Sequence, residues 1–332
     1  MSVTTDLIYF FLALGLGLSS SVVLARQIDQ IGTRFELPEP LLGILTALGA
    51  DSPEISSAIV ALQAGRHNIG AGIVFGSNLY NLAALLGLSA VVAGRVRIRR
   101  SGVMFNAVTA LAVTVVASVL AFGLISGPVA LGLVLVPVVP YTIVAAMTPR
   151  RVREVVPGRV VADYLASAVS SAEKDVRRPE QAPKARQADL LGIVPSVAGV
   201  ALSSVAMVHT VTEIGDHFGL SDAIIGMLIL ATVTGLPNLV AAVRLARAGR
   251  GSAVVSEAFN SNTINIAVGL VVPAIAVGVS STTTLTRIAA IWLLALTVLT
   301  AGLTSVRGGL LRWEGAAVIA CYLAFVGLVI AG

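Results

Sequence analysis

The sequence predicts an all-α polytopic membrane protein: ten transmembrane helices arranged as two inverted five-helix repeats. Three observations predict it. Charged residues are 12% of the 332 and hydrophobic residues 56%, where a soluble domain carries roughly 25% charged. One sizeable polar segment, near the middle, separates two apolar halves. Across it, IGTRFELPEPLLGILTALGADSPE (31–54) is nearly repeated as IGDHFGLSDAIIGMLILATVTGLPN (214–238). Self-similarity running through apolar sequence marks an internal duplication.

A spanning helix needs roughly 20 mostly apolar residues. Ten such runs can be drawn, at 6–25, 39–64, 69–93, 102–123, 127–147, 189–209, 222–246, 252–278, 284–304 and 311–331. The first has no small-residue cleavage site leading into a polar region, so it is expected to be a retained helix rather than a signal peptide. Cys321 stands alone in an apolar run, which gives neither a disulfide framework nor a thiol metal site. The net charge of +5 does not imply a nucleic-acid partner. With ten spans, every Lys and Arg except Arg66 and Arg287 falls on one side of the bilayer. The positive-inside bias then puts both termini outside and the long loop in the cytoplasm of a plasma (inner) membrane.

The expected organisation is a first repeat at 1–147, a linker at 148–188 and a second repeat at 189–332. The linker holds Pro149, Pro157, Pro179 and Pro183. Residues 160–172 are expected to form a short amphipathic helix on the membrane surface, and the rest to be a tether. Five spans per half is an odd number, so the second copy enters the membrane from the opposite side. Inverted repeats of this kind build secondary transporters, with the site near the midplane where the repeats meet.

The motifs locate that site. Gly49-Ala50-Asp51-Ser52-Pro53-Glu54 falls midway through the second span, and Val233-Thr234-Gly235-Leu236-Pro237-Asn238 midway through the seventh. Proline removes a backbone donor and clashes with the carbonyl one turn earlier, so both spans are expected to be broken there. Freed carbonyls at membrane depth must line a cavity or find new partners. Asp51 and Glu54 share a helix face, and a charge at the bilayer centre costs roughly 2.5–3.5 kcal/mol even on the lenient scale. Such a pair needs water, a proton or a cation. Ser77 and Asn81 stack on span 3, Ser261 and Asn265 on span 8, and Thr234 and Asn238 on span 7. Carboxylate, amide, hydroxyl and carbonyl oxygens suit hard cations such as Ca²⁺ and Na⁺, whereas Zn²⁺ or Cu⁺ would want His or Cys. Asn78 and Asn262 point from another face and read as helix-packing residues, as do Gly70, Gly72 and Gly76. Glu257, one turn before Ser261, is either an extra carboxylate at the cavity mouth or an interfacial charge.

At these residues the chain resembles the Ca²⁺/cation antiporter superfamily, which includes the Na⁺/Ca²⁺ exchangers. Each family repeat carries a G-[ST]-S-x-P-E-type break followed on the next helix by a G-S-N-x-x-[ND]-type motif. Here the second motif reads Gly76-Ser77-Asn78-Leu79-Tyr80-Asn81 in one repeat and Asn260-Ser261-Asn262-Thr263-Ile264-Asn265 in the other. The resemblance implies an exchanger-like fold and ion binding at Glu54, Ser77, Asn81, Thr234, Asn238, Ser261 and Asn265. Asp51 stands where the family usually has a hydroxyl, while Ala50 and Gly235 lack side-chain oxygens. Asn238 stands where the second acidic ligand would be, and Asn265 where an acid is often found. The first repeat therefore holds two carboxylates and the matching positions of the second none.

The implied function is antiport of Ca²⁺, or of Na⁺, against Na⁺ or H⁺, with spans 1 and 6 sliding across the rest. The sequence contains no ATP-binding motif, so ion gradients must drive it. The cation is substrate, and no resident cofactor is expected. Two close carboxylates repel in a low dielectric, so the pair could also carry protons. The alternative is a non-transporting sensor or scaffold with a decayed ion site. An intramembrane enzyme fits poorly, because no catalytic pair recurs on facing helices.

Overall fold

The computed structural model describes residues 3–98, 100–175, 192–278 and 283–331. Helix α1 (Val3–Arg34) is followed by α2 (Glu39–Ala50) and α3 (Ser52–Gln63). Next come α4 (His67–Ala93), a short strand β1 (Arg95–Arg97), α5 (Arg100–Ala121) and α6 (Gly127–Ala145). The connection contains α7 (Pro149–Val155) and α8 (Arg159–Asp175). The second half runs through α9 (Ile193–Phe218), α10 (Ile224–Arg247), α11 (Gly251–Val277) and α12 (Thr284–Arg307). Strand β2 (Gly309–Leu311) and α13 (Arg312–Ala331) close the chain.

Among the described residues, nine helices are long and apolar enough to cross a membrane. Helices α2 and α3 in series occupy the interval read as the second span. The chain is a helical, multi-pass membrane protein. Leu7, Ile8, Phe11 and Leu12 on α1, and Val194, Leu202 and Val205 on α9, stay exposed, as lipid-facing side chains must.

The inversion is visible where α1 meets α9. Gly17 lies against Ser203, Gly199 against Ser20, and the Ser196 hydroxyl donates to Gln27 at 3.2 Å. Numbers rise along one helix as they fall along the other, so the two run antiparallel. Small residues let the backbones approach closely, which is how helices associate without a hydrophobic drive.

The loops sort to two ends. Arg66 reaches Asp216 at 3.6 Å and Asp222 at 3.7 Å, the Thr283 amide donates to Asn68 at 3.1 Å, and Arg287 sits over the Phe122 ring. These contacts join the loops after α3, α5, α9 and α11. At the other end β1 pairs antiparallel with β2, Val96 opposite Leu310, joining the loops after α4 and α12. This is the partition that ten spans require.

Two expectations are corrected. The start of the linker is helical rather than a plain tether. Thr148 caps α7 by accepting from the Arg151 amide at 3.4 Å, Pro149 opens the helix, and buried Val152 packs with Val144, Ala166 and Val169. The amphipathic segment at 160–172 is helical, within α8, and Val160 and Val161 are exposed on it. Residues 176–188 of the linker, and 189–191 of the sixth span, lie outside the described residues.

The second correction concerns the seventh span, which is not interrupted. Helix α10 runs through Pro237, and its irregularity is a π-helical turn at Ile224–Leu230, ahead of the proline. Proline is tolerated inside membrane helices, so its presence alone need not break one.

A Cβ at Gly17 would stand 2.7 Å from Ser203 Oγ, whereas one at Gly15 would meet open space. Gly17→Leu should therefore lower stability by roughly 1–3 kcal/mol through overpacking, and Gly15→Leu should not. Thermal unfolding of the two variants in detergent checks this.

Candidate cation site between the repeats

The break between α2 and α3 falls at Asp51. Pro53 lacks an N–H, so the Gly49 carbonyl loses its helical donor. Ser52 donates to that carbonyl at 2.7 Å. From α1, Ser21 reaches it at 3.2 Å and the Ala50 carbonyl at 2.9 Å. Asp51, at the break, and Glu54, in the first turn of α3, face the protein interior, where they are 1% and 2% exposed.

Each carboxylate is clasped by an amide of the other repeat. Asn238 on α10 donates Nδ2–H to Asp51 Oδ1 at 2.7 Å, and Asn265 on α11 donates to Glu54 Oε2 at 2.7 Å. A third cross-repeat bond runs from Asn81 Nδ2 on α4 to Ser261 Oγ on α11, at 2.8 Å. The residue before the π-helical turn of α4 is Asn81, and the turn of α11 begins at Asn265. Widened turns of this kind are frequent at functional sites. Here they stand at equivalent points of both repeats.

The remaining oxygens are the informative ones. Asp51 Oδ2, Glu54 Oε1, Asn81 Oδ1 and Asn265 Oδ1 are buried and accept no hydrogen bond. Ser77 lies within hydrogen-bonding reach of Glu54 and of the Val74 carbonyl, 3.3 Å away, and has one proton to give. Ser261 likewise lies beside Asp51. Thr234 gives its proton to the Leu230 carbonyl at 2.7 Å and joins none of the cross-repeat bonds. Of the eight residues the sequence singles out, seven converge in one constellation, with Thr234 buried one turn from Asn238.

Asn78 joins helices of the two repeats, as the packing assignment expects, and it also touches the site. Its Oδ1 accepts from Asn265 at 3.4 Å and its Nδ2 donates to the Asn262 carbonyl at 3.4 Å, so it touches the amide that holds Glu54. Asn262 has no partner for either side-chain polar atom. The glycines do serve close packing: Cβ atoms at Gly72 and Gly76 would run into Met227 of α10.

Sequence reasoning missed two further residues. One is Ser21, signalled only by the triplet Ser19-Ser20-Ser21 inside an apolar span. The other is Tyr80. A Cβ on Gly235 would stand 2.8 Å from the Tyr80 ring and 3.4 Å from Glu54 Oε1. The hydroxyl absent at 235 is therefore matched by an aromatic ring present at 80. Glu257 is half-buried, and no group of three or more His, Cys, Asp or Glu among the described residues is placed to hold a metal ion. Glu257 nonetheless lies close enough to Asp51 for the two charges to interact.

The family model described as "Sodium/calcium exchanger protein" matches residues 5–148 and 189–331. The chain belongs to the sodium/calcium exchanger family. It is 38% identical over 99 residues to sodium/potassium/calcium exchanger 1 of Rattus norvegicus and 35% identical over 99 residues to exchanger 2 of Homo sapiens. Those matches cover 30% of this chain but only 8% and 14% of the relatives. Among solved structures it resembles the sodium-calcium exchanger NCX_Mj at a TM-score of 0.63 and 20% identity, covering 98% of this chain and 99% of that one. It also resembles the H⁺/Ca²⁺ exchanger CAX at 0.74 and 14% identity, covering 97% and 81%. At these identities the likeness is one of fold.

Gly235→Ala should displace the Tyr80 ring and lower stability by roughly 1–3 kcal/mol. Adding Tyr80→Leu should recover part of that loss. Thermal midpoints of the single and double variants measure both effects.

Proposed function

We propose that the chain is a secondary cation antiporter that exchanges Ca²⁺, or Na⁺, for Na⁺ or H⁺ by alternating access. One observation carries the reading. Four buried oxygens without donors, two from carboxylates and two from amides, sit on side chains that hydrogen bonds link across the two repeats. A hard cation is the ligand such a set favours, and two carboxylates balance one Ca²⁺ or two monovalent ions. Family membership supports transport rather than enzyme chemistry. The names of the relatives and of the two solved exchangers support Ca²⁺ and Na⁺ as first candidates, with H⁺ as counter-ion.

The packing supports a mechanism for the exchange. Repeats 1–147 and 189–332 share the site, and 148–188 joins them on the cytoplasmic side, with both termini outside. Asp51 and Glu54 attract the cation, while Asn81 and Asn265 supply neutral oxygens. When a cation enters, it replaces the amide N–H groups as the partner of the carboxylates. Helices α1 and α9, seated on one another through glycine and serine, then move as a pair against the rest. A non-transporting reading has one observation in its favour: the amides already satisfy one oxygen of each acid without any cation.

Flux across vesicles decides between the two. Ca²⁺ uptake driven by an outward Na⁺ or H⁺ gradient should be measurable, and Glu54→Gln should reduce it to background. Uptake that survives the substitution removes Glu54 from the mechanism, and no uptake under either gradient favours the scaffold. A ligand at 100 times its Kd stabilises the folded state by about 2.7 kcal/mol, so Ca²⁺ should also raise the thermal midpoint.

Asn238→Asp offers a second check. It replaces the donor to Asp51 Oδ1 with a second carboxylate. Without cation the variant should be destabilised by roughly 1–3 kcal/mol, the cost of an unsatisfied buried group. Its gain in midpoint on adding Ca²⁺ should exceed that of the wild type.

A further inference from the structure

The two repeats treat their proline-freed carbonyls differently. Pro53 deprives the Gly49 carbonyl of a backbone donor, and Pro237 does the same to the Val233 carbonyl. Gly49 has two replacements, Ser52 and Ser21. The counterpart of Ser52 in the second repeat is Leu236, which has no donor. The counterpart of Ser21 is Ser204. The register is fixed by Ile31-Gly32 against Ile214-Gly215, which aligns Ser20-Ser21-Val22 with Ser203-Ser204-Val205.

Ser204 is 0% exposed, and its Oγ has no partner. A buried hydroxyl without a bond costs about 1–3 kcal/mol, so its persistence needs a reason. The packing of the moving pair supplies one. Helix α1 lies along α2 and α9 lies along α3, whereas both touch α10 only slightly. The pair is docked on the first repeat's broken span and withdrawn from the equivalent span of the second. In the docked repeat the helix is interrupted at one residue, Asp51, and its serine is engaged. In the other the helix is continuous and its serine is idle.

We infer that Ser21 and Ser204 are reciprocal positioning residues of the transport cycle. In the packing described here, Ser21 holds the carbonyls of Gly49 and Ala50 and keeps the α2–α3 break open. In the opposite packing Ser21 lets go, and Ser204 takes the carbonyls of Val233 and Thr234 as α10 opens at Pro237. The exchange moves one hydrogen-bonded break from one repeat to the other. It couples the position of α1 and α9 to the carbonyls nearest the carboxylates.

The inference rests on the alternating-access reading, and its test separates the two. Spin labels on Phe35→Cys and Val155→Cys, both exposed, in a Cys321→Ser background report the distance from the end of α1 to α7. Wild type should show two distance populations whose ratio responds to Ca²⁺, Na⁺ and chelator. Ser21→Ala should shift the ratio toward the second packing and Ser204→Ala toward the first, each about three- to tenfold, the scale of one hydrogen bond. The double variant should return near the wild-type ratio, and Ser21→Thr and Ser204→Thr, which keep the hydroxyl, should shift it little. Two populations unmoved by the alanine variants, or moved by both in the same direction, overturn this inference alone. A single population under every ion condition overturns the alternating-access reading and this inference with it.

Discussion

Everything in this fold is arranged around carboxylates that lie in the apolar interior and are held by amides from the opposite repeat. Asp51 meets Asn238 and Glu54 meets Asn265, each at 2.7 Å. An isolated carboxylate there would cost several kcal/mol, and a fully satisfied one would have no capacity left for a ligand. Here each acid has one oxygen bonded and one without a donor. On the proposed reading, the bonded oxygen keeps each acid satisfied in the interior and the other oxygen is left for a cation.

That arrangement depends on the duplication. Neither repeat could make it alone, because the first supplies the acids and the second supplies the amides that hold them. Both acids face inward at the break between α2 and α3, the π-helical turn of α4 follows Asn81, and that of α11 begins at Asn265. Around them, close-packed glycines bring α4 against α10, and paired glycines and serines bring α1 against α9. The asymmetry in charge between the repeats is matched by an asymmetry in shape: one broken span against one continuous span, and one engaged serine against one idle serine.

Much of this was legible in the sequence. The spans followed from apolar runs and the inversion from an odd count on each side of the polar segment. The site followed from carboxylates and amides at helical spacing where lipid forbids them. What was not legible depended on which partner a group finds in three dimensions. Pro237 reads like Pro53, but α10 runs on through it, whereas at Pro53 the freed Gly49 carbonyl takes donors from Ser52 and, on another helix, Ser21. Asn78 is assigned to packing by its face of α4, and only the position of Asn265 shows that it also touches the amide that holds Glu54. Tyr80 and Gly235 are a large residue and a missing one that make sense only as a contact across repeats. The helix at 149–155 was hidden in a polar, proline-containing stretch, because its stabilising partners, Val144, Ala166 and Val169, come from outside it.

The central claim is that the donorless oxygens of Asp51, Glu54, Asn81 and Asn265 form a seat for a hard cation. Anomalous diffraction from crystals soaked in Sr²⁺, an electron-rich stand-in for Ca²⁺, tests it most directly. The account predicts a peak among those four side chains that disappears in Glu54→Gln. Peaks confined to the protein surface, with both carboxylates still clasped by Asn238 and Asn265, would contradict it.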